Sequence, residues 1–183
     1  MSATPPLETP FRTVPERNTA DVILRTAQQH HVQLSAMADV KANIIITVSS
    51  IVLTVGFGRT ADPELQVSSM ILVVFTMLAL LLAVLAVLPK YRPLQLQSEQ
   101  LPPNFNLLFF GHFAELTRDR FLAEVSGKMK PDGSIYETMC KDLYGLGYYL
   151  SHYKYRYLRL SYLFFLTGFV LATLVQVAQW LWR

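Results

Sequence analysis

Two long blocks without a charged residue constrain this chain most. In the block from Val67 to Leu88 only serine and threonine side chains are polar. As a helix, roughly 22 residues at about 1.5 Å each span about 33 Å, and the hydrocarbon core of a bilayer is about 30 Å thick. The block from Ser161 to Trp182 is equally long and also lacks charge. Both blocks predict membrane-spanning helices.

A third apolar block, Ala42 to Phe57, is shorter and carries several polar side chains. Taken alone it is also compatible with a buried helix of a soluble protein, but its two neighbours favour a third span. Of the 183 residues, 52% are hydrophobic and only 16% charged, below the roughly 25% charge of soluble domains. The sequence therefore predicts an all-α membrane protein with three transmembrane helices and cytoplasmic helical extensions.

The positions of the basic residues predict the orientation. Most of the 16 lysines and arginines lie before the first block or between the second and third, whereas the loop between the first two blocks holds only Arg59 and the tail only Arg183. By the positive-inside rule, the N-terminus is cytoplasmic and the C-terminus is outside. Because the basic residues between Lys90 and Arg159 are mixed with acidic ones, the net charge of +3 does not indicate nucleic-acid binding.

The rest of the chain is organised around these spans. Pro89 is expected to end the second helix, and Thr117 to cap a short one. A last long helix is predicted from Ser134, which has capping-box spacing to Glu137. This helix can run unbroken into the third span, with a weak point at Gly145 and Gly147 just before the membrane. The predicted segments are a disordered tail without a signal-peptide pattern (1–18), a cytoplasmic helix continuing into the first span (19–58), the second span (67–88), a cytoplasmic helical sensor region (89–160) and the third span (161–182).

One face of the first helix is polar within the membrane. It continues a polar stripe that starts at Gln28, and its membrane members are spaced three or four residues apart: Asn43, Thr47, Ser50 and Thr54. Polar side chains inside lipid need partners. Packing against another helix and lining of a pore both explain this face.

Known catalytic and cofactor patterns are missing from the sequence. It contains no phosphate-binding glycine loop, nucleophile elbow or redox cysteine pair. The single cysteine and the four histidines form no metal-binding motif. We therefore expect neither an enzyme nor a resident cofactor or metal.

Three short motifs resemble a known family. The first is Ala38-Asp39-Val40-Lys41-Ala42, leading directly into the first span. The second is the segment 106–113, with the sequence NLLFFGHF, and the third is the segment 154–159, with the sequence KYRYLR, which runs into the last span. Their order against three spans is similar to the transmembrane effector domain of Pycsar, a bacterial antiphage system, over roughly residues 20 to 178.

This resemblance implies a function. In Pycsar systems a partner cyclase makes cyclic CMP or cyclic UMP on infection, and the membrane effector compromises the inner membrane so that the infected cell dies. The chain would then be a multi-pass protein of the bacterial inner membrane that binds a cyclic pyrimidine mononucleotide. Because three helices cannot enclose a wide aqueous pore, it would act as a homo-oligomer, with the polar faces of the first span converging on a leak.

The motifs also imply candidate ligand-binding residues. Basic side chains suit the phosphate, amide and carboxylate groups suit polar edges, and an aromatic ring can stack on the base. The candidates are Asp39, Lys41, Asn106, Phe109, Phe110, His112, Lys154, Arg156 and Arg159. Each also has a structural interpretation: the phenylalanines and His112 as core residues, and the basic cluster as an anchor at the lipid headgroups.

Two other classes of protein remain open at this stage. One is an effector of a related defence system gated by another cyclic nucleotide, whose additional phosphates would need more basic residues. The other is a membrane scaffold that holds a soluble partner and senses nothing. A cyclase gene beside this one would favour the effector.

Overall fold

The computed structural model describes residues 18–89, 101–130 and 134–182. All regular secondary structure in these ranges is helical. The helices are α1 (Asn18–Arg59), α2 (Gln66–Val87), α3 (Phe110–Phe113), α4 (Arg118–Met129), α5 (Ser134–Tyr149), a π-helical segment (Leu150–Lys154) and α6 (Tyr155–Leu181). Three helical stretches are long and apolar enough to cross a membrane: Thr19–Arg59, Gln66–Val87 and Ser134–Leu181.

Helix α1 is continuous over 42 residues. It extends one residue beyond the predicted range at each end, and it has Asp21 in its first turn and Arg59 in its last, where each charge interacts favourably with the helix dipole. A tight turn follows, in which Asp62 Oδ1 accepts the Glu64 N–H at 3.0 Å. This turn connects α1 to α2 within six residues, 60–65.

Helix α2 ends where the sequence predicts. Leu88 has φ −61° and ψ 124°, the extended conformation that a following proline imposes on its neighbour. Thr117 caps α4, because its Oγ1 accepts the Arg120 N–H at 3.4 Å. Both boundaries are set by local chemistry.

Helix α5 begins at Ser134 and leads into the third span, as the sequence predicts, but without the predicted capping box. The Ser134 hydroxyl donates to the Lys128 carbonyl and the Glu137 carboxylate pairs with Lys141 at 2.9 Å, so the capping box does not form. The helix also continues regularly through both glycines. A Cβ on Gly147 would lie 3.2 Å from His31 Nε2, so this glycine allows α1 to approach α5 closely.

The regular hydrogen bonding changes three residues after Gly147, where the π-helical segment begins at Leu150. There the Tyr155 N–H donates to the Leu150 carbonyl, five residues back. Short π-helical turns are rare and are frequent at functional sites. The segment ends at Lys154, a residue of the predicted ligand-binding set.

The chain divides into two compact units: residues 1–32 with 90–148 (unit 1), and residues 33–89 with 149–183 (unit 2). Unit 2 holds the membrane bundle. Its core contains small side chains, including Ala79, Ala83 and Ala86 of α2, while large side chains such as Leu81 and Leu166 are more than half exposed. This inversion of the soluble pattern is expected of helices that pack through small residues inside lipid.

Close packing and a few internal hydrogen bonds hold the bundle together. A Cβ on Gly168 would lie only 2.4 Å from the Phe75 Cβ, so α2 and α6 touch at a position that only glycine permits. The buried Ser161 hydroxyl donates to the Ala79 carbonyl at 2.8 Å. In lipid, where water is not a partner, such bonds contribute about 0.6 kcal/mol each.

Candidate functional site

The loop before α3 is built around Asn106, in unit 1. The Asn106 backbone N–H donates to His112 Nδ1 at 2.9 Å, and its side-chain Oδ1 accepts the Leu108 N–H at 3.0 Å. Phe105 precedes it, with its N–H bonded to the Pro102 carbonyl at 2.9 Å. Asn106 therefore shapes the loop through its backbone and its side chain together.

A carboxylate on α5 fixes this loop to the rest of unit 1. Asp142 Oδ1 accepts from Asn106 Nδ2 at 2.9 Å, and Asp142 Oδ2 accepts from Gln28 Nε2 of α1 at 2.8 Å. Hydrogen bonds to a charged group are stronger than neutral ones. The sequence did not predict Asp142 as a site residue. It lies one helical turn after Thr138, which is buried, and an acidic residue on a buried helical face is the signal that could have indicated it.

Two phenylalanine rings are exposed at the loop. Phe109 is 37% exposed and Phe110 is 64% exposed, and their ring centroids are 5.1 Å apart. The rings of Phe109 and His112 are nearly perpendicular, with 5.1 Å between their centroids. The exposure of both phenylalanines argues against core packing as their role.

His112 presents a hydrogen-bond donor beside these rings. Because its Nδ1 accepts the Asn106 N–H, its proton lies on Nε2 in the neutral form. Partial burial lowers the pKa of His112 below its usual value, since burial disfavours the charged form. The loop therefore combines a neutral N–H donor with aromatic surface, a combination that suits the carbonyl and the face of a pyrimidine.

The third motif lies in unit 2, where Lys154 is paired inside the bundle. Its ammonium group lies 2.7 Å from Asp39 Oδ1 of α1 and donates to Ser35 Oγ at 2.8 Å. The Lys154 side chain is only 7% exposed, whereas that of Asp39 is 44% exposed. The charge of Lys154 is thus neutralised within the protein, and Asp39 pairs with a residue 115 positions away rather than with nearby Lys41.

A shallow cleft of about 440 Å³ is lined by residues of α1 and α6. Its walls are held together by hydrogen bonds between α6 and α1: the Tyr155 hydroxyl donates to the Leu34 carbonyl at 3.1 Å, and the Tyr162 hydroxyl donates to the Lys41 carbonyl at 3.4 Å. We call this the basic cleft. It is lined by Lys41, Tyr155, Leu158, Arg159, Tyr162 and Leu163.

The polar face of α1 lies on the surface of the chain. Asn43, Thr47, Ser50 and Thr54 are all exposed, and the three hydroxyls donate to carbonyls four residues back at 2.8–2.9 Å. The buried face of α1 is a different one: Ala38, Ala42, Ile45, Ser49 and Leu53. At about 100° per residue, the two faces are roughly 135° apart. Within the described residues, no other helix covers the polar face.

The predicted ligand-binding residues thus fall into two groups. Unit 1 brings together Asn106, Phe109, Phe110 and His112, and unit 2 contains Asp39, Lys41, Lys154, Arg156 and Arg159. Of the second group, Arg156 is exposed and does not line the basic cleft.

Three apolar helices packed through small residues define the class: a small helical membrane protein. Over residues 22–180 the chain matches the Pycsar effector protein domain, so it belongs to that family. No curated protein and no solved structure matches it. Membership makes the chain an antiphage defence effector rather than a cyclase, and it implies a cyclic nucleotide signal from a partner cyclase.

Proposed function

We propose that the protein binds cyclic CMP or cyclic UMP made by a partner cyclase and, in response, compromises the bacterial inner membrane, which leads to abortive infection. The observation that carries the proposal is the family match, which spans both units. In the proposed orientation the N-terminus and residues 89–160 lie in the cytoplasm, where the nucleotide is made. The basic residues on that side support this orientation.

The loop around Asn106 is the proposed contact with the pyrimidine. Stacking on the exposed ring of Phe110 fits any pyrimidine base, and the His112 Nε2–H fits the O2 carbonyl that cytosine and uracil share. Asn106 already uses its Oδ1, one amide hydrogen and its backbone N–H within the protein. Its proposed role is therefore to hold the loop in the binding conformation.

Phe110→Ala tests this contact. Loss of one stacking interaction of about 1–3 kcal/mol weakens nucleotide binding by about fivefold or more. Titration calorimetry of the purified full chain with cyclic CMP and with cyclic UMP measures the affinity. The matched control is Phe57→Ala, a phenylalanine of unit 2 that is 55% exposed, for which we expect wild-type affinity. Equal loss in both variants would contradict the assignment.

Helix α1 offers a physical connection between sensing and leakage. It starts in unit 1 and ends in unit 2, and no helix of the described residues covers its polar face. A two-state protein needs an element that differs between its states. The proposed active state is a homo-oligomer in which these polar faces meet, since polar groups in lipid gain by pairing with each other or with water.

The decisive experiment is expression in a bacterial host with and without a pyrimidine cyclase, following membrane potential and dye entry. We expect depolarisation only when the cyclase supplies one of the two nucleotides. Asn43→Leu, which removes the largest polar group of the face, should reduce the leak, whereas Val48→Leu on the exposed apolar face should not. If the inserted protein shows no leak with either nucleotide, the proposal fails, and a scaffold or an effector of another nucleotide replaces it.

A further inference from the structure

The basic cleft carries two cations that the protein does not neutralise. Lys41 and Arg159 are exposed, and within residues 18–89, 101–130 and 134–182 no carboxylate pairs with either. The lining contains no acid. Lys154, close by in sequence to Arg159, is by contrast fully paired with Asp39 and Ser35. The cleft therefore has an excess of positive charge on one side of an otherwise apolar bundle.

The surroundings of the cleft are apolar on the side towards the membrane. Lys41 stands at the head of the exposed apolar face of α1, which continues through Ile44, Val48, Ile51 and Val55. On α6, Arg159 is followed by Leu163 and Leu166, which are 48% and 61% exposed. A ligand with a negatively charged head and long apolar chains fits two cations that are followed by apolar helix faces. A free nucleotide has no apolar part that would pack against these faces.

We propose that the basic cleft binds the phosphate of an anionic phospholipid headgroup, with the acyl chains along the apolar faces of α1 and α6. Lys41 of α1 and Arg159 of α6 line the same cleft, and in this proposal one phosphate accepts hydrogen bonds from both. Arginine suits a phosphate through paired N–H groups. The tyrosine hydroxyls already bond to α1 carbonyls and act as fixed walls. The site needs only that the helices span a bilayer, so it is independent of nucleotide sensing.

The test uses the full chain and lipids of defined composition. Native mass spectrometry of the detergent-solubilised protein measures binding of phosphatidylglycerol relative to phosphatidylcholine. We expect the double variant Lys41→Gln/Arg159→Gln to lower this selectivity by more than the roughly 25-fold that general attraction of two cations accounts for, at about 1 kcal/mol each. General attraction of one cation to an anionic surface accounts for a change of about fivefold in lipid selectivity. Arg156→Gln, an exposed arginine of the same helix outside the cleft, should therefore change it by no more than that.

Further measurements separate the other outcomes. The melting temperature in phosphatidylcholine alone reports whether the double variant still folds, and Lys41→Arg/Arg159→Lys, which keeps both charges, should retain most of the selectivity. Equal loss in the Arg156→Gln control would show a diffuse basic anchor and overturn the site. Unchanged lipid selectivity in the double variant, with weaker binding of cyclic CMP or cyclic UMP, would assign the cleft to the nucleotide phosphate and also overturn it.

Discussion

The pair of Asp39 and Lys154 gives the sharpest prediction, because its two partners differ in exposure. The Lys154 side chain is 7% exposed and that of Asp39 is 44% exposed, at a separation of 2.7 Å. Asp39→Asn leaves the lysine ammonium buried with only neutral partners, the new amide oxygen and Ser35. Lys154→Met instead leaves a carboxylate that water can still reach. The two single substitutions should therefore differ greatly in cost.

The magnitudes follow from this asymmetry. Removing one partner of a fully buried ion pair costs about 3–5 kcal/mol. Because Asp39 is close to half exposed and Ser35 remains, we expect Asp39→Asn to lower the free energy of unfolding by about 2–3 kcal/mol. Lys154→Met keeps the apolar stem and should cost about 0.5–1.5 kcal/mol. The double variant leaves no unpaired buried charge and should cost about as much as Lys154→Met alone.

The assay is reversible unfolding in mixed micelles of increasing denaturing detergent, followed by circular dichroism. A double-mutant cycle on the four proteins isolates the interaction between the two side chains. The reasoning is refuted if Lys154→Met costs more than Asp39→Asn, or if the costs of the single variants simply add in the double variant. Either result would mean that water reaches the lysine in the folded protein.

Three further predictions concern packing, pH and the loop anchor. Gly168→Ala forces α2 and α6 apart and should cost about 1–3 kcal/mol, whereas Gly58→Ala, with open space around it, should be neutral or slightly stabilising in the same micelle assay. Burial lowers the pKa of His112 below 6.5, so its contribution to stability is complete above pH 6.5 and is lost as the pH falls through the lowered pKa. The melting temperature of His112→Asn should therefore decline less steeply than that of the wild type as the pH is lowered. The control His30→Asn should show the same decline as the wild type. Asp142→Asn replaces one carboxylate oxygen, an acceptor, by an N–H donor that faces the amide donor of Asn106 or Gln28. It should lower the free energy of unfolding by about 1–2 kcal/mol. An unchanged melting temperature would contradict the hydrogen bonds between Asp142 and these two residues.

The elements of the fold could be predicted from the sequence because their causes are local. The block at 67–88 appears as α2, Gln66–Val87, since a run of apolar side chains in lipid forms the helix that satisfies its own backbone. Pro89 ends that helix and Thr117 starts α4 through neighbouring atoms alone. The family, too, was recognisable from short motifs in order along the chain.

The candidate sites could be predicted only in part. The sequence singled out Asn106 and His112, but their hydrogen bond to each other depends on the loop conformation, and the role of Asp142 depends on the packing of α5 against α1. The packing at Gly147 has the same origin. Intrinsic propensity makes glycine a weak point in a helix, but close contact with His31 outweighs propensity there.

The sequence by itself determined where the helices lie, which of them are apolar enough for a membrane, and the family to which the chain belongs. Only the tertiary structure decided which charges meet. Lys154 and Ser35 are 119 residues apart, and Asp39 could have faced lipid, water or a partner. The rotation of each helix about its axis determines which of these Asp39 faces. That rotation is set by small residues that pack against one another across the bundle, rather than by any residue near Asp39 in the chain.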